Sequence, residues 1–353
     1  MPLDLEVSPD EQDVLDSLVK LFDREGGIAI ARHAETAGTG ISRELWGKLA
    51  AAGFVGLAIP EQAGGGGAPV SLTMQASRAA GRFVAPVPLE TAGFLIPALL
   101  QRDRELCAAI TSGQLLATMR ATLLGQRSAG HEREIEVSNG RATGLTGPVP
   151  YGAAADVVLV RARDEVIVVD IRESGTAKAV PDMAAQGLAD VELGGAPVLT
   201  TVPMADRAAR ATARVLLAAR AAGGAEACLK MAADYARQRK QFGRPIGTFQ
   251  AIQHSLADAS IAVSAAMLLV HRAAASPDSE AAALAAWLAG TKAFVEVSQV
   301  SLHVFGGYGF TLEYDPQLFY RRAKALETAF GPLRGIGPAE ARELVARFEH
   351  QSL

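Results

Sequence analysis

The chain has 353 residues, 49% of them hydrophobic, enough to bury a large core in two or three domains. Its formal charge of -4 excludes a nucleic-acid binder, which needs a concentrated basic face. Two cysteines, Cys107 and Cys228, stand in apolar helical contexts with no metal or disulfide spacing, which implies a reduced, cytoplasmic protein.

The N-terminus, Met1-Pro-Leu-Asp-Leu-Glu6, is acidic and lacks the basic start and apolar centre of a signal peptide. Residues 9 to about 115 carry Leu, Val and Ala at helical spacing, broken by glycine and proline. Gly64-Gly65-Gly66-Gly67 reads as a loop, because no Lys-Ser/Thr follows it and a phosphate-binding loop fails on spacing. From about 130 to 200 the period changes to two. Glu134–Val137 and the stretch after Asn139-Gly140 read as a hairpin with a type I′ turn, and Val157–Val160 and Val166–Val169 as short buried strands. Helices return at about 203. Asp258–Ala275 and Ser279–Val304 are long, the second with Leu284, Trp287, Leu288, Phe294 and Val295 along one stripe. Asp315-Pro316 opens a further helix that Gly331 closes, and an amphipathic segment runs from Pro338 to about Phe348. The longest charge-free apolar run, Ala259–Val270, is too short to span a bilayer, so no membrane partner is expected.

The segment Tyr235–His254 carries the chemistry. It sets a rigid cation (Arg239), an aromatic (Phe242), a turn (Gly243, Pro245) and two amides (Gln250, Gln253) between two long helical patterns. An arginine fork suits a diphosphate, an aromatic offers a face to a flat ring, and a turn lets the backbone approach closely. That is the equipment for a dinucleotide-like cofactor across a helix junction.

Three stretches carry a family likeness over nearly the whole chain: Leu45–Glu61; Arg239-Lys-Gln-Phe-Gly-Arg-Pro-Ile246 with Phe249-Gln-Ala-Ile-Gln253; and His303-Val-Phe-Gly-Gly-Tyr-Gly-Phe310 with Tyr320-Arg-Arg-Ala-Lys324. They resemble the acyl-CoA dehydrogenase flavoproteins. The resemblance implies a mainly α fold with a small β-domain: an N-terminal helical domain (1–115), an abbreviated middle β-domain (116–202) and a C-terminal four-helix bundle (203–353). It implies FAD lying at a subunit boundary, an acyl-CoA substrate, and an electron-transfer flavoprotein or similar acceptor. Carried residue by residue, the cofactor contributors are Arg239, Gln241, Phe242, Gln250, Gly306 and Gly307; no metal site is implied.

The pattern breaks at the chemistry. The family base is a glutamate six residues after the Ala-Lys of the Tyr-Arg-x-Ala-Lys motif; that place here is Phe330. Some members carry the base 26 residues before the motif arginine, and that place is Ala213. The remaining carboxylates are Glu327 and Glu313, with Glu327 as the fallback base; Asp234 and Asp258 read as ordinary helix charges. The family's ring-holding and thioester-holding segments are also missing, replaced by Ala117–Gly125 and Thr146–Pro150. Some actinobacterial members that handle CoA thioesters of steroid side chains resemble this chain and are built from two different subunits. The resemblance therefore implies a base-lacking subunit that completes the FAD site of a heterodimer or of a two-plus-two tetramer. Three other readings stand behind it: a self-sufficient homo-oligomer using Glu327, a flavin-dependent oxygenase or oxidase on the same fold, and a scaffold without flavin.

Overall fold

The structure is a computed structural model and describes residues 7–95, 103–120, 135–163, 165–202, 207–277 and 279–330. The expected stop at Gly331 and the segment 338–348 lie outside them. Contacts divide the chain into two compact units: Met1–Ile28 with Met74–Ala85 and Arg214–Pro332, and Ala29–Thr73 with Pro86–Ala213 and Leu333–Leu353.

The first unit is helical. Helix α1 (Pro9–Arg24) starts at a reciprocal cap: the Ser8 hydroxyl accepts the Glu11 N–H, and the Glu11 carboxylate accepts the Ser8 N–H. Leu15, Leu18, Leu21 and Phe22, spaced three or four apart, are its buried stripe. Helices α4 (Val70–Arg82) and α6 (Arg207–Gln238) meet here through glycines. A Cβ on Gly81 would collide with the Arg220 carbonyl, and one on Gly223 with the Arg78 carbonyl, so the backbones touch only because no side chain intervenes. Three more helices complete the unit: α7 (Gln250–Ala274), α8 (Glu280–Phe305) and α9 (Pro316–Phe330). Ser279 caps α8, as its place before an acidic first turn requires. The expected stripe is its core face: Leu284, Trp287, Phe294 and Val295 are buried, and the Phe294 ring meets Phe319 of α9 edge-on at 6.5 Å.

One boundary needs correction. Helix α7 begins at Gln250, not Asp258, because Phe249 ends a 3-10 turn (Ile246–Thr248) and no breaker follows. An exposed Asp258 bounds a charge-free run but does not stop a helix. At 25 residues α7 is therefore long and apolar enough to cross a membrane, which the shorter run was not. Only 28% of its most apolar stretch is buried.

The second unit holds α2 (Ala29–Thr36), α3 (Arg43–Ala51), a π-helical turn (Leu89–Leu95), α5 (Arg104–Thr111) and the β-structure. Strands β1 (Ala117–Met119), β2 (Glu136–Ser138), β3 (Arg141–Thr143), β5 (Val157–Ala162), β6 (Glu165–Asp170) and β9 (Ala196–Val202) form one sheet in the order β1-β5-β6-β9-β3-β2. β4 (Leu145–Val149), β8 (Ala189–Glu192) and β7 (Thr176–Ala179) form a second. Val158, Val160, Ile167, Val169, Val191 and Leu193 are part of their shared core. Asn139 (φ 50°) and Gly140 (φ 72°) make the expected type I′ turn between β2 and β3. The four-glycine run folds back on its own approach: Gly66 N–H donates to the Gly56 carbonyl and Gly67 N–H to Ile59. Those donors are used within the chain, so the loop cradles no phosphate.

Candidate functional site

Helix α6 ends at Gln238, and the chain turns at once into a two-rung hairpin, β10 (Lys240–Gln241) against β11 (Arg244–Pro245). Its central residues are Phe242 (φ 51°) and Gly243 (φ 79°), so this is also a type I′ turn. Asn or Gly suits such a position; a bulky side chain there costs about 1–2 kcal/mol. Phe242 is nonetheless 92% exposed, with only the edge of Phe249 beside it at 6.1 Å. That strain is not offset by burial of the ring. The hairpin stem is firm: the Arg239 N–H donates to the Tyr235 carbonyl and the Arg239 carbonyl accepts from Ile246, each at 2.8 Å.

The charges divide sharply. Arg237 and Lys230 both pair with Asp234, at 2.8 and 2.6 Å, and the Lys230 hydrogen bond foremost holds that carboxyl below its usual range. Among the described residues, Arg239, Lys240 and Arg244 have no carboxylate within ion-pair distance. The Arg239 guanidinium lies 5.5 Å from the centre of the Tyr308 ring, and that of Arg244 lies 4.3 Å from the centre of Phe249. Helix α7 starts at Gln250 with no side chain capping it; the Ile252 and Gln253 N–H groups donate to the Phe249 carbonyl, which leaves those of Gln250 and Ala251 at the positive end of the dipole without a partner among the described residues. Three uncompensated cations beside an open helix start fit a diphosphate.

Aromatic contacts bring the ends of α6 and α8 together. Tyr235 stacks on Phe305 at 4.0 Å, Phe305 meets Tyr314 at 5.8 Å, and Tyr314 meets Tyr308 at 5.4 Å. They draw the 3-10 turn Gly306–Phe310 to Arg239. Gly306 ends α8 at φ 64° and ψ -141°, a conformation only glycine holds without strain. A Cβ on Gly306 or Gly307 would meet nothing within 4 Å, so the pair faces open space. Of the expected contributors, Arg239 and the glycine turn therefore share one end of the helical unit. Gln250 stands exposed at the start of α7, and Gln241 turns its amide back onto the Lys240 carbonyl. Gln253 spends its amide on the Gly247 carbonyl. Sequence reasoning passed over Lys240, Arg244, Tyr308 and Tyr314. The spacing of Tyr235 and Arg239, one helical turn apart, was the available signal.

No carboxylate stands at either family base position. Phe330 is the last residue of α9, and Ala213 is buried in α6. Glu327 is half-exposed and ion-paired to Lys324 one turn earlier. Glu313 is exposed in the turn before α9. Both cysteines are buried free thiols; burial foremost pushes Cys107 up to about 11 and Cys228 well above its usual value, so neither is a ready nucleophile. Among the described residues no cluster of metal-ligating side chains occurs.

The sequence pattern of the acyl-CoA dehydrogenase C-terminal domain matches residues 207–333, and that of the N-terminal domain residues 8–100. The acyl-CoA dehydrogenase FadE27 of Mycobacterium tuberculosis is 30% identical over 97% of this chain and 94% of its own length. The chain belongs to the acyl-CoA dehydrogenase family. In fold it is similar to the ChsE4–ChsE5 complex of Mycobacterium tuberculosis, with a TM-score of 0.83 and 26% identity over 99% of this chain and 98% of that one. It also shares the fold of a glutaryl-CoA dehydrogenase from Mycobacterium smegmatis solved with FADH2, at a TM-score of 0.80 and 18% identity over 93% and 92% of the two chains. The expected mainly α acyl-CoA dehydrogenase fold and oxidoreductase family thus hold.

Proposed function

We propose that this acyl-CoA dehydrogenase chain is the FAD-site-completing, base-lacking subunit of a heteromeric enzyme that desaturates an acyl-CoA thioester between Cα and Cβ. One observation carries the reading. Arg239, Lys240 and Arg244 stand without carboxylate partners among the described residues while Phe330 and Ala213 occupy the places where the family keeps its base. The chain is equipped to bind a diphosphate and not to abstract a proton.

Bound FAD supplies the hydride acceptor. This chain's residues do the holding: Arg239 and Lys240 take the diphosphate, the α7 start with Gln250 adds N–H donors, Phe242 packs on the adenine side, and Gln241 and the Gly306-Gly307 turn line the approach. The base and the contacts to the reacting ring come from a second acyl-CoA dehydrogenase-like subunit. The exposed face of α7, where Ile261 is 68% and Leu268 52% exposed, supports such an assembly. So does the similarity to a two-protein complex. Exposed Gln253, His254, Asp258 and Ser264 on the same helix suit a protein partner in the cytoplasm and not lipid. The segments 1–115, 116–202 and 203–353 serve as its three domains, steroid side-chain thioesters as its substrates, and an electron-transfer flavoprotein as its acceptor.

Flavin content tests the proposal. The protein purified alone is expected to be colourless, and co-expression with its complementary subunit to yield stoichiometric FAD and dehydrogenase activity. A yellow protein that oxidises acyl-CoA by itself overturns it.

A further inference from the structure

We infer that Tyr308 is a positioning residue for Arg239: its ring aims the guanidinium at the diphosphate without cancelling its charge. The inference rests on the assignment of Arg239 to the cofactor.

Arginine has a long side chain, and ordering it on binding forfeits rotamer freedom that weakens the complex. The backbone of Arg239 is already fixed by Tyr235 and Ile246. Its side chain has one polar or ring partner among the described residues, the Tyr308 face 5.5 Å away. That face is backed in turn. Tyr314 lies against Tyr308, Phe305 against Tyr314, and Tyr235 is stacked on Phe305 with an interplanar angle of 15°. Tyr235 is also the residue whose carbonyl takes the Arg239 N–H, so the contacts close into a loop from α6 through α8 and back. Gly309 sets the height of the turn: a Cβ there would press on the Leu302 carbonyl at 2.8 Å.

The choice of an aromatic partner matters. A carboxylate would occupy guanidinium donors and offset the charge, as Asp234 takes one N–H of Arg237. A ring attracts the cation through its quadrupole and leaves every N–H free for an incoming phosphate. Tyr308 therefore restricts Arg239 while keeping it available.

The test is ADP affinity, measured by calorimetry on flavin-depleted full-length protein, with its partner subunit present if flavin binding needs one. Tyr308→Phe keeps the ring and is expected to bind ADP like the parent. Tyr308→Leu keeps bulk without the quadrupole and is expected to bind about three- to fivefold more weakly. Arg239→Ala is expected to lose about 10- to 100-fold, and adding Tyr308→Leu to it to cost nothing more. Parent-like binding by Tyr308→Leu beside a weakened Arg239→Ala overturns the inference and leaves the cofactor assignment standing. An undiminished loss from Tyr308→Leu in the Arg239→Ala background overturns it too. Parent-like binding by Arg239→Ala removes both. An unchanged melting temperature for Tyr308→Leu separates aim from folding.

Discussion

Two arginine clusters border helix α6, and they are built on opposite plans. Near its middle, Arg78 and Arg82 of α4 both grip Glu226, at 3.0 and 2.5 Å. Just past its end, Arg239 leads a hairpin whose cations meet aromatic rings and, among the described residues, no carboxylate. The first cluster closes its charges inside the unit and the second leaves them open. Arginines answered from within fix a helix crossing; on the function proposed above, arginines left unanswered beside the α7 start receive an anion from outside. The two clusters should therefore fail in different currencies, one in stability and the other in binding.

The largest expected effect is on the closed cluster. Glu226→Gln leaves two half-buried guanidiniums facing a neutral amide and should destabilise the fold by about 2–4 kcal/mol. Cofactor affinity in the surviving folded protein should stay at the parent level. Denaturant unfolding and flavin binding measured on the same variant check both halves, and a loss of affinity without a loss of stability would invert the comparison. Acid should act the same way. Burial alone would raise the Glu226 carboxyl, but hydrogen bonds from Arg82 and Arg78 more than reverse this and hold it below its usual 4.5. Its contribution is then present above that value and is lost as pH falls through the lower folded one. Burial first, and then Arg78, lowers His271 from 6.5, against an opposing pull from Glu11. A neutral His271 belongs to the folded state, so stability starts to fall as pH drops below about 6.5. Melting temperature measured from neutral pH downward should decline, and Glu226→Gln should flatten the lower part of that decline.

The open cluster comes next. Arg239→Ala should weaken FAD or ADP binding about 10- to 100-fold while melting within a degree or two of the parent. A large drop in melting temperature instead would make Arg239 a structural residue and erase the contrast with Arg78.

A smaller effect is expected at α7. It and α8 are nearly equal in length, yet α8 buries its apolar face within the unit while Ile261 and Leu268 of α7 remain in solvent. Ile261→Glu should leave the isolated chain folded and weaken association with the complementary subunit about tenfold, read by analytical ultracentrifugation. Undisturbed association would place the partner elsewhere.

The sequence made these regions unequally legible. The β2–β3 turn was readable because Asn-Gly dictates its backbone, and the α8 stripe because burial repeats at helical spacing. Arg239 stood out because an arginine fork suits a diphosphate, while Gly306-Gly307 stood out only through the family resemblance; their roles toward a cofactor belong to the proposal. The turn at Gly243 was readable too, but its left-handed Phe242 was not, since nothing local favours that backbone for a phenylalanine. The aromatic chain from Tyr235 to Tyr308 was hidden for a different reason: it links residues more than 70 positions apart, and only the folded unit brings them into one row. The start of α7 was misjudged because charge was used as a boundary, whereas helices end at breakers and caps.

The smallest effect should come from Glu327, which is also where the proposal is most exposed. A catalytic base must reach the reacting carbon in a form free to take a proton. Glu327 is ion-paired to Lys324 on its own helix and half open to water, the arrangement of a surface i,i+3 pair whose net value is a few tenths of a kcal/mol. Glu327→Gln in the assembled enzyme should change kcat less than about twofold, since Gln removes the charge and keeps the shape. A base would respond otherwise: Glu327→Gln would lower kcat by about two orders of magnitude or more and abolish the acidic limb of the pH–rate profile. That result would return the proton-abstracting role to this chain, and the unpaired cations of the hairpin would then serve a subunit that needs no complement.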